Sequence, residues 1–416
     1  MKYLSRYIVL IVAFLGLTTV LPSLYRVAFA DYKPHRSVTF SPVVDDFFYV
    51  SVEKNVGVTY TDAAGNEYSK IDYYHAKPFL YARNLVRWGT YPTLIAGKYI
   101  PADEVSKNLY FFGIRPKRVD IELNRIPLYP LYESSGEFTQ LEIPNDLFRI
   151  SGRMEFISGM TRGVDSEKSE LFTSALTKAG FSFPAQGIFG NTNFKKPYDF
   201  GYFAEDAKGD IFHIKQLHGK PFVRNTNKPA GADFEYISVS EDYANPSYGV
   251  FVTESGDVYR LEKNGYEYKR FDVGQIDVRE QYLRVFGDPL YTYVTVRDKD
   301  KTEMYVFHKD DTLYKKHIIE EVSSLSPFFE AGYDAVFPFT LRTFEPKAFK
   351  HHLYLEPSER VGLAVMFSAV LAMLYAGIMM FRRKSMKMAA ADSIFVLIGG
   401  LIPFVLLLLM GSERRR

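Results

Sequence analysis

Gly201-Tyr202-Phe203-Ala204-Glu205-Asp206-Ala207-Lys208-Gly209-Asp210-Ile211-Phe212 reads as a strand, a polar turn and a second strand headed by an aromatic. The pattern returns in Gly249-Val250-Phe251-Val252-Thr253-Glu254-Ser255-Gly256-Asp257-Val258-Tyr259. A looser copy runs from Tyr293-Val294-Thr295-Val296 through Asp298-Lys299-Asp300-Lys301 to Met304-Tyr305-Val306-Phe307. The aromatics Phe212, Tyr259 and Tyr305 lie roughly 47 and 46 residues apart, near the period of propeller blades. Upstream, Gly57-Val58-Thr59-Tyr60-Thr61-Asp62-Ala63-Ala64-Gly65-Asn66-Glu67-Tyr68 keeps the spacing of Gly201 to Gly209, and Lys77-Pro78-Phe79 answers Lys220-Pro221-Phe222. The repeat predicts a mostly β fold of propeller-like antiparallel units, with room for roughly five to seven of them between 31 and 359. A twisted open sheet or a sandwich is the architectural alternative.

Composition narrows the class. The chain has 416 residues, 47% hydrophobic and 16% aromatic, with 31 Tyr and 35 Phe, which suits a folded, half-buried pleated surface. A net charge of +2 is too small to imply a nucleic-acid partner. Cysteine is absent, which excludes disulfides, thiolate metal sites, cysteine nucleophiles and a lipidated cysteine.

Both ends are apolar. Lys2 and Arg6 precede a long apolar run from Tyr7 to Tyr25, long enough to span a bilayer. Ala28-Phe29-Ala30 before Asp31 resembles a cleavage site, but Arg26 sits just ahead of it, so residues 1–30 are read as an uncleaved anchor rather than a signal peptide. Val361 to Phe381 is charge-free and followed by Arg382-Arg383-Lys384 and Lys387, which puts residues 382–391 in the cytoplasm. Ser393 to Met410 reads as a second span, so 359–416 is a transmembrane helix pair and 31–358 an extracytoplasmic, periplasmic β-rich domain in a bacterial inner membrane. Arg414-Arg415-Arg416 then falls outside, against the positive-inside rule, unless the last helix is re-entrant.

Between the ends, Asp165 to Gly180 predicts a helical insertion with Leu171, Ala175, Leu176 and Ala179 on its apolar face. Phe79 to Trp88, bracketed by Pro78 and Gly89, predicts a shorter helix. Val119–Leu123, Phe138–Ile143 and Met154–Ile157 read as strands. Pro327, Pro338, Pro346 and Pro357 mark an extended return to the membrane.

Ala364, Ser368, Ala372 and Ala376 recur every fourth residue, a spacing that lets another helix approach closely in lipid. They pack either on the last helix through Gly399 and Gly400 or on a partner membrane protein. His351-His352 would point apart on a strand and are read as exposed. Asp45, Asp46, Asp298, Asp300, Asp310 and Asp311 lack the calcium-loop pattern and read as solvated turns. His213 and His218 read as surface or packing residues. No phosphate-cradling loop, nucleophile elbow or His-Glu-x-x-His is present, so no catalytic, cofactor or metal residue is assigned and the chain is read as non-catalytic.

Several stretches carry a resemblance. They include Leu21-Pro22-Ser23-Leu24-Tyr25, Leu128-Tyr129-Pro130-Leu131-Tyr132-Glu133-Ser134, Pro144-Asn145-Asp146-Leu147-Phe148-Arg149, Ser166-Glu167-Lys168-Ser169-Glu170-Leu171-Phe172-Thr173 and Gly180-Phe181-Ser182-Phe183-Pro184-Ala185. Tyr198-Asp199-Phe200-Gly201-Tyr202, Phe212-His213-Ile214-Lys215 and Gly219-Lys220-Pro221 extend the set. Together they resemble an uncharacterised family of bacterial membrane proteins, a domain of unknown function of about this length. The resemblance implies neighbourhood with ABC-transporter permease and ATPase components, and no site residues. The function expected is an accessory or substrate- or partner-binding subunit of an ABC-type inner-membrane transport complex. A periplasmic ligand-binding sensor is the first alternative, although the loop 382–391 leaves little room for an output domain. A membrane-bound periplasmic enzyme is the second.

Overall fold

The computed structural model describes residues 2–30, 35–53, 56–123, 125–135, 142–241, 244–321, 325–344, 352–382 and 386–409. Two compact units result, one from residues 34–321 and one from residues 1–33 and 322–416. The helical unit opens with α1 (Lys2–Phe29).

The other unit is mostly antiparallel β. β1 (His35–Ser41), β2 (Asp46–Glu53), β3 (Gly57–Asp62) and β4 (Glu67–Tyr68) form a meander in that order. Next come α2 (Lys70–Ala76), α3 (Ala82–Trp88), the small hairpin β5 (Leu94–Ile95) and β6 (Lys98–Tyr99), α4 (Ala102–Asn108), β7 (Tyr110–Ile114) and α5 (Pro116–Leu123). A three-stranded sheet of β8 (Asp146–Ile150), β9 (Met154–Ser158) and β10 (Val164–Asp165) precedes α6 (Ser166–Lys178).

Three meanders follow at the period of the sequence repeat. β11 (Gly187–Gly190), β12 (Tyr202–Glu205), β13 (Ile211–Leu217) and β14 (Lys220–Asn225) make the first. β15 (Phe234–Val239), β16 (Ser247–Thr253), β17 (Val258–Glu262) and β18 (Tyr268–Phe271) make the second. β19 (Tyr282–Gly287), β20 (Tyr291–Arg297), β21 (Lys301–His308) and β22 (Leu313–Glu320) make the third, and β7 pairs with the free edge of β19. Each quoted repeat is the inner hairpin of its sheet, second strand to third. That is why the repeated residues are so apolar, and all seven residues of β16 are buried.

The repeat is above all a turn. Asp206 donates its N–H to the Asp210 carbonyl at 2.9 Å, accepts the Gly209 N–H at 3.0 Å, and its Oδ1 accepts the Asp210 N–H at 2.9 Å. Thr253 does the same with Asp257 and Gly256, its hydroxyl oxygen accepting the Asp257 N–H at 2.9 Å. In the looser copy Asp298 Oδ1 accepts the N–H groups of both Asp300 and Lys301, at 2.8 and 2.7 Å, across a turn one residue shorter. A short polar side chain that caps the turn, followed by glycine at positive φ, is a three-residue hairpin loop with a bulge.

Several expectations are corrected. Among the described residues the sheets close no barrel and no propeller; helices α2 to α5 and a three-stranded sheet intervene before the three meanders at the repeat period. The copy at Gly57 shares the turn, with Asp62 capping Asn66 at 2.8 Å, but joins β3 to β4 at a sheet edge rather than an inner pair. Val119–Leu123 is helical because Pro116 opens α5, where its missing N–H costs nothing. The short helix starts at Ala82, not Phe79, and ends at Trp88 with Gly89 as its cap, as expected. Asp165 caps α6 through the Lys168 N–H at 3.0 Å. Its buried face is Ser169, Phe172 and Leu176, while Leu171 is 46% exposed. Phe172 and Leu176 sit in a core with Phe148, Phe156, Tyr202 and Phe212. Phe138–Ile143 lies mostly outside the described residues.

The helical unit continues with α7 (Pro327–Val336), the hairpin β23 (Phe339–Phe344) and β24 (His352–Pro357), α8 (Val361–Phe381), α9 (Met386–Gly399) and α10 (Leu401–Leu409). The return is therefore partly helical, Pro327 opening α7 in the position that suits proline. α1 and α8 are long and apolar enough to cross a membrane. The last apolar run is two helices instead of one span, broken where Gly400 adopts φ +70°. Phe404 and Leu407 of α10 pack with Tyr375 and Leu10, the residues that Val396 of α9 also packs with. Arg414–Arg416 lie outside the described residues.

Two glycine variants separate the turn from the packing. Gly65 has φ +87° with open space where a side chain would go, whereas a Cβ on Gly201, at φ +77°, would sit 2.1 Å from the Ile214 carbonyl oxygen. Gly65→Ala should cost about 1–2 kcal/mol from backbone strain alone, and Gly201→Ala more than about 4 kcal/mol, since β12 and β13 must part. Chemical unfolding of the two variants, followed by tyrosine fluorescence, gives the comparison.

Candidate functional site

The small residues of α8 face inward. Ala364 and Ser368 are 1% and 0% exposed, and with Leu371, Tyr375 and Met379 they form the buried stripe of the helix. Ala372 and Ala376 lie half-buried beside it, and Ala372 packs into the cluster formed by Leu10, Tyr375, Val396 and Leu407. Small side chains let α9 approach α8 along this face. Gly399 and Gly400 meet other neighbours. A Cβ on Gly399 would touch the Phe14 ring of α1 at 2.7 Å, and one on Gly400 would touch Pro338 at 2.9 Å. The stripe is thus buried at Ala364 and Ser368 and half-buried at Ala372 and Ala376.

At the same face sits a carboxylate that the sequence reading passed over. Asp392 of α9 is 1% exposed. Its Oδ2 accepts from Arg6 Nη2 at 3.0 Å and from the Tyr375 hydroxyl at 2.9 Å, and its Oδ1 from the Tyr7 hydroxyl at 2.9 Å. Three helices, α1, α8 and α9, therefore meet on one side chain. A charge inside apolar helices is expensive unless paired and hydrogen-bonded, and this one has a cation and two phenols. Arg6 Nε and Nη1 are buried with no hydrogen-bond partner, so Asp392 is the group that justifies the guanidinium's position. The legible signal was a lone acid at the head of an apolar run, Met388-Ala389-Ala390-Ala391-Asp392.

The β-rich unit holds its own buried polar groups. His213 is 0% exposed, stacked on Phe203 at 4.4 Å. Its Nε2 meets the Phe200 carbonyl at 2.5 Å and its Nδ1 the Tyr266 hydroxyl at 2.7 Å. It is a packing residue; burial, with Lys215 second, pushes its imidazole down to about 3. His218 is exposed. Lys196 lies in the β11–β12 connection, buried against Asp199 and against Glu241, whose Oε1 is 3.1 Å from Nζ. Asn191 donates to the other Glu241 oxygen at 2.8 Å. Burial raises the Glu241 carboxyl. This knot ties the first meander to the β15–β16 connection. Asp298 and Asp310 cap their own turns, Asp45 takes the Tyr314 hydroxyl at 2.8 Å, and Asp311 pairs with Arg260 at 2.9 Å. His351 lies outside the described residues. No group of three metal-ligating side chains occurs among the described residues.

Comparison with known proteins gives a family and little else. Residues 37–307 match the domain of unknown function DUF4857, and the chain belongs to that family. No curated protein matches it. Among solved structures it is similar to PorZ of Porphyromonas gingivalis, an essential bacterial surface component of the type-IX secretion system. The identity is 10% and the TM-score 0.22, over 79% of this chain and 44% of that one. The chain spans less than half the length of that PorZ structure.

The buried carboxylate and the buried imidazole each set a testable dependence. Asp392→Ala leaves Arg6 buried without its counter-charge and should destabilise the helical unit by about 3 kcal/mol or more, whereas Arg6→Met with Asp392→Leu should restore most of it. Unfolding in mixed micelles by added SDS measures both. His213 stays neutral when folded, while the unfolded chain protonates it near pH 6.5. Its contribution is therefore complete above that pH and is lost as pH falls towards 3, by up to ~1.4 kcal/mol per unit. His213→Gln should flatten that limb of a stability–pH curve.

Proposed function

We propose that this member of the family is a membrane-anchored, non-catalytic accessory subunit of a bacterial inner-membrane transport complex, presenting its β-rich unit to a partner or substrate outside the cytoplasm. The observation that carries the anchor is the Asp392 junction. Removal of residues 1–30 would strip Arg6 and Tyr7 from Asp392 and Phe14 from Phe395, whose rings are 5.2 Å apart. That supports a retained α1 over a cleaved signal sequence. With Lys2 and Arg6 at one end of α1 and Arg382 and Lys387 in the α8–α9 loop, charge distribution favours both on the cytoplasmic side and the residues between α1 and α8 outside. The packing of α10 back against Tyr375 and Leu10 supports a last segment that turns within the membrane.

The ABC-type permease and ATPase are the partners that the sequence resemblance implies. Ala364 and Ser368 of the α8 stripe are buried, so the β-rich unit carries the recognition in this reading. Purification of the tagged chain from its native membrane in a mild detergent, with mass spectrometry of what comes along, tests it. A permease and an ATPase in fixed proportion to the chain are expected. Recovery of the chain alone at every detergent strength would overturn the transport assignment.

A further inference from the structure

β11 is the edge strand of its sheet, hydrogen-bonded to β12 alone, and it runs close to β15 of the next meander. In the first meander the Asp206–Asp210 bond sets the alternation, so Ala204 and Tyr202 spend their backbone groups on β13. Phe203 and Glu205 then pair with Phe189 and Gly187. The N–H and C=O groups of Ile188 and Gly190 consequently point away from β12. Among the described residues no backbone bond reaches them from that side.

A cleft of about 360 Å³ has residues 185–190, all of β11 included, as one wall. The other wall includes Glu122 at the end of α5, Arg125, Tyr129 and Ile150. Edge strands are ordinarily blunted by charge, proline or a covering element. Gln186-Gly187-Ile188-Phe189-Gly190 carries neither charge nor proline. Six residues of strand span about 17–20 Å, the reach of a short extended segment.

The two walls differ in what they offer. Glu122 is already engaged, by Arg118 at 2.6 Å and by the Tyr236 hydroxyl. Arg125 lies over the Tyr129 ring at 5.2 Å, donates one bond of 3.3 Å to Thr192, and has no ion-pair partner among the described residues. A row of unsatisfied main-chain groups calls for another main chain, and a cation opposite it calls for a carboxylate.

We propose that this cleft binds an extended acidic peptide segment of a partner protein, which adds a strand to β11 and places a carboxylate on Arg125. The proposal deepens the reading of a partner-binding subunit and rests on it for the partner's biological setting only. A chain that binds peptides through β11 yet purifies alone would leave this inference standing and remove the transport assignment.

The test uses the full chain in lipid nanodiscs and a random twelve-residue peptide library displayed on phage. Enrichment of sequences with alternating β-formers and at least one Asp or Glu is expected. Ile188→Pro removes an outward N–H while leaving the pairing of Gly187 and Phe189 intact, a substitution edge strands tolerate. It should weaken a selected synthetic peptide about tenfold or more. Should that variant fold poorly, methylation of alternate peptide nitrogens on the wild-type chain gives the same readout without altering the protein. Arg125→Gln should weaken acidic peptides about fivefold or more and leave their amide analogues unchanged. No enrichment over empty nanodiscs, or selected peptides indifferent to N-methylation, overturns the proposal. A dimer in light scattering that Ile188→Pro dissolves, with no peptide enriched, assigns the edge to a second copy and overturns it equally.

Discussion

A carboxylate among apolar helices must be neutralised where it sits, and Asp392 meets that demand with groups from two other helices. Arg6 and Tyr7 come from the start of the chain and Tyr375 from α8. The junction joins segments more than 380 residues apart in sequence, so the helical unit is assembled from both termini. Two features follow from it. Residues of the buried face of α8 share one cluster with Ala389 and Val396 of α9, and α1 joins that cluster through Leu10.

The β-rich unit rests on a different constraint, the hairpin turn capped by Asp206, Thr253 or Asp298. The turn was legible because its chemistry is local: a capping oxygen and, in two copies, a glycine at fixed spacing. Assembly of the sheets was not, because closure depends on what lies between repeats. Pro116 turned a β-branched stretch into helix, and β7 took the edge of β19 from far upstream. The copy at Gly57 shows the limit most clearly. An identical turn there serves a sheet edge instead of an inner pair, since the turn fixes register and not the neighbours of the two strands.

The same distinction separates the site residues. Ala364, Ser368, Ala372 and Ala376 are spaced for a close helix contact, and the first two are buried, but spacing carries no information about which helix covers them. Asp392 was missed because it lies at the border between a loop and a span, where an acid is unremarkable. Its importance comes from Arg6, whose charge already had a reading as a topology signal. One residue serves both roles. The free edge of β11 had no sequence signature, because an unpaired strand differs from a paired one only in its surroundings.

The proposed function requires the residues between α1 and α8 to lie outside the cytoplasm and the α8–α9 loop to lie inside it. The chain has no cysteine, so Ser255→Cys in the exposed β16–β17 turn and Met386→Cys at the start of α9 each supply a unique thiol. A membrane-impermeant maleimide applied to intact cells should label Cys at 255 without lysis and Cys at 386 only after it. The intact mass of the labelled protein should include residues 1–30. Labelling of both positions in intact cells, or a mature protein lacking α1, would contradict the account.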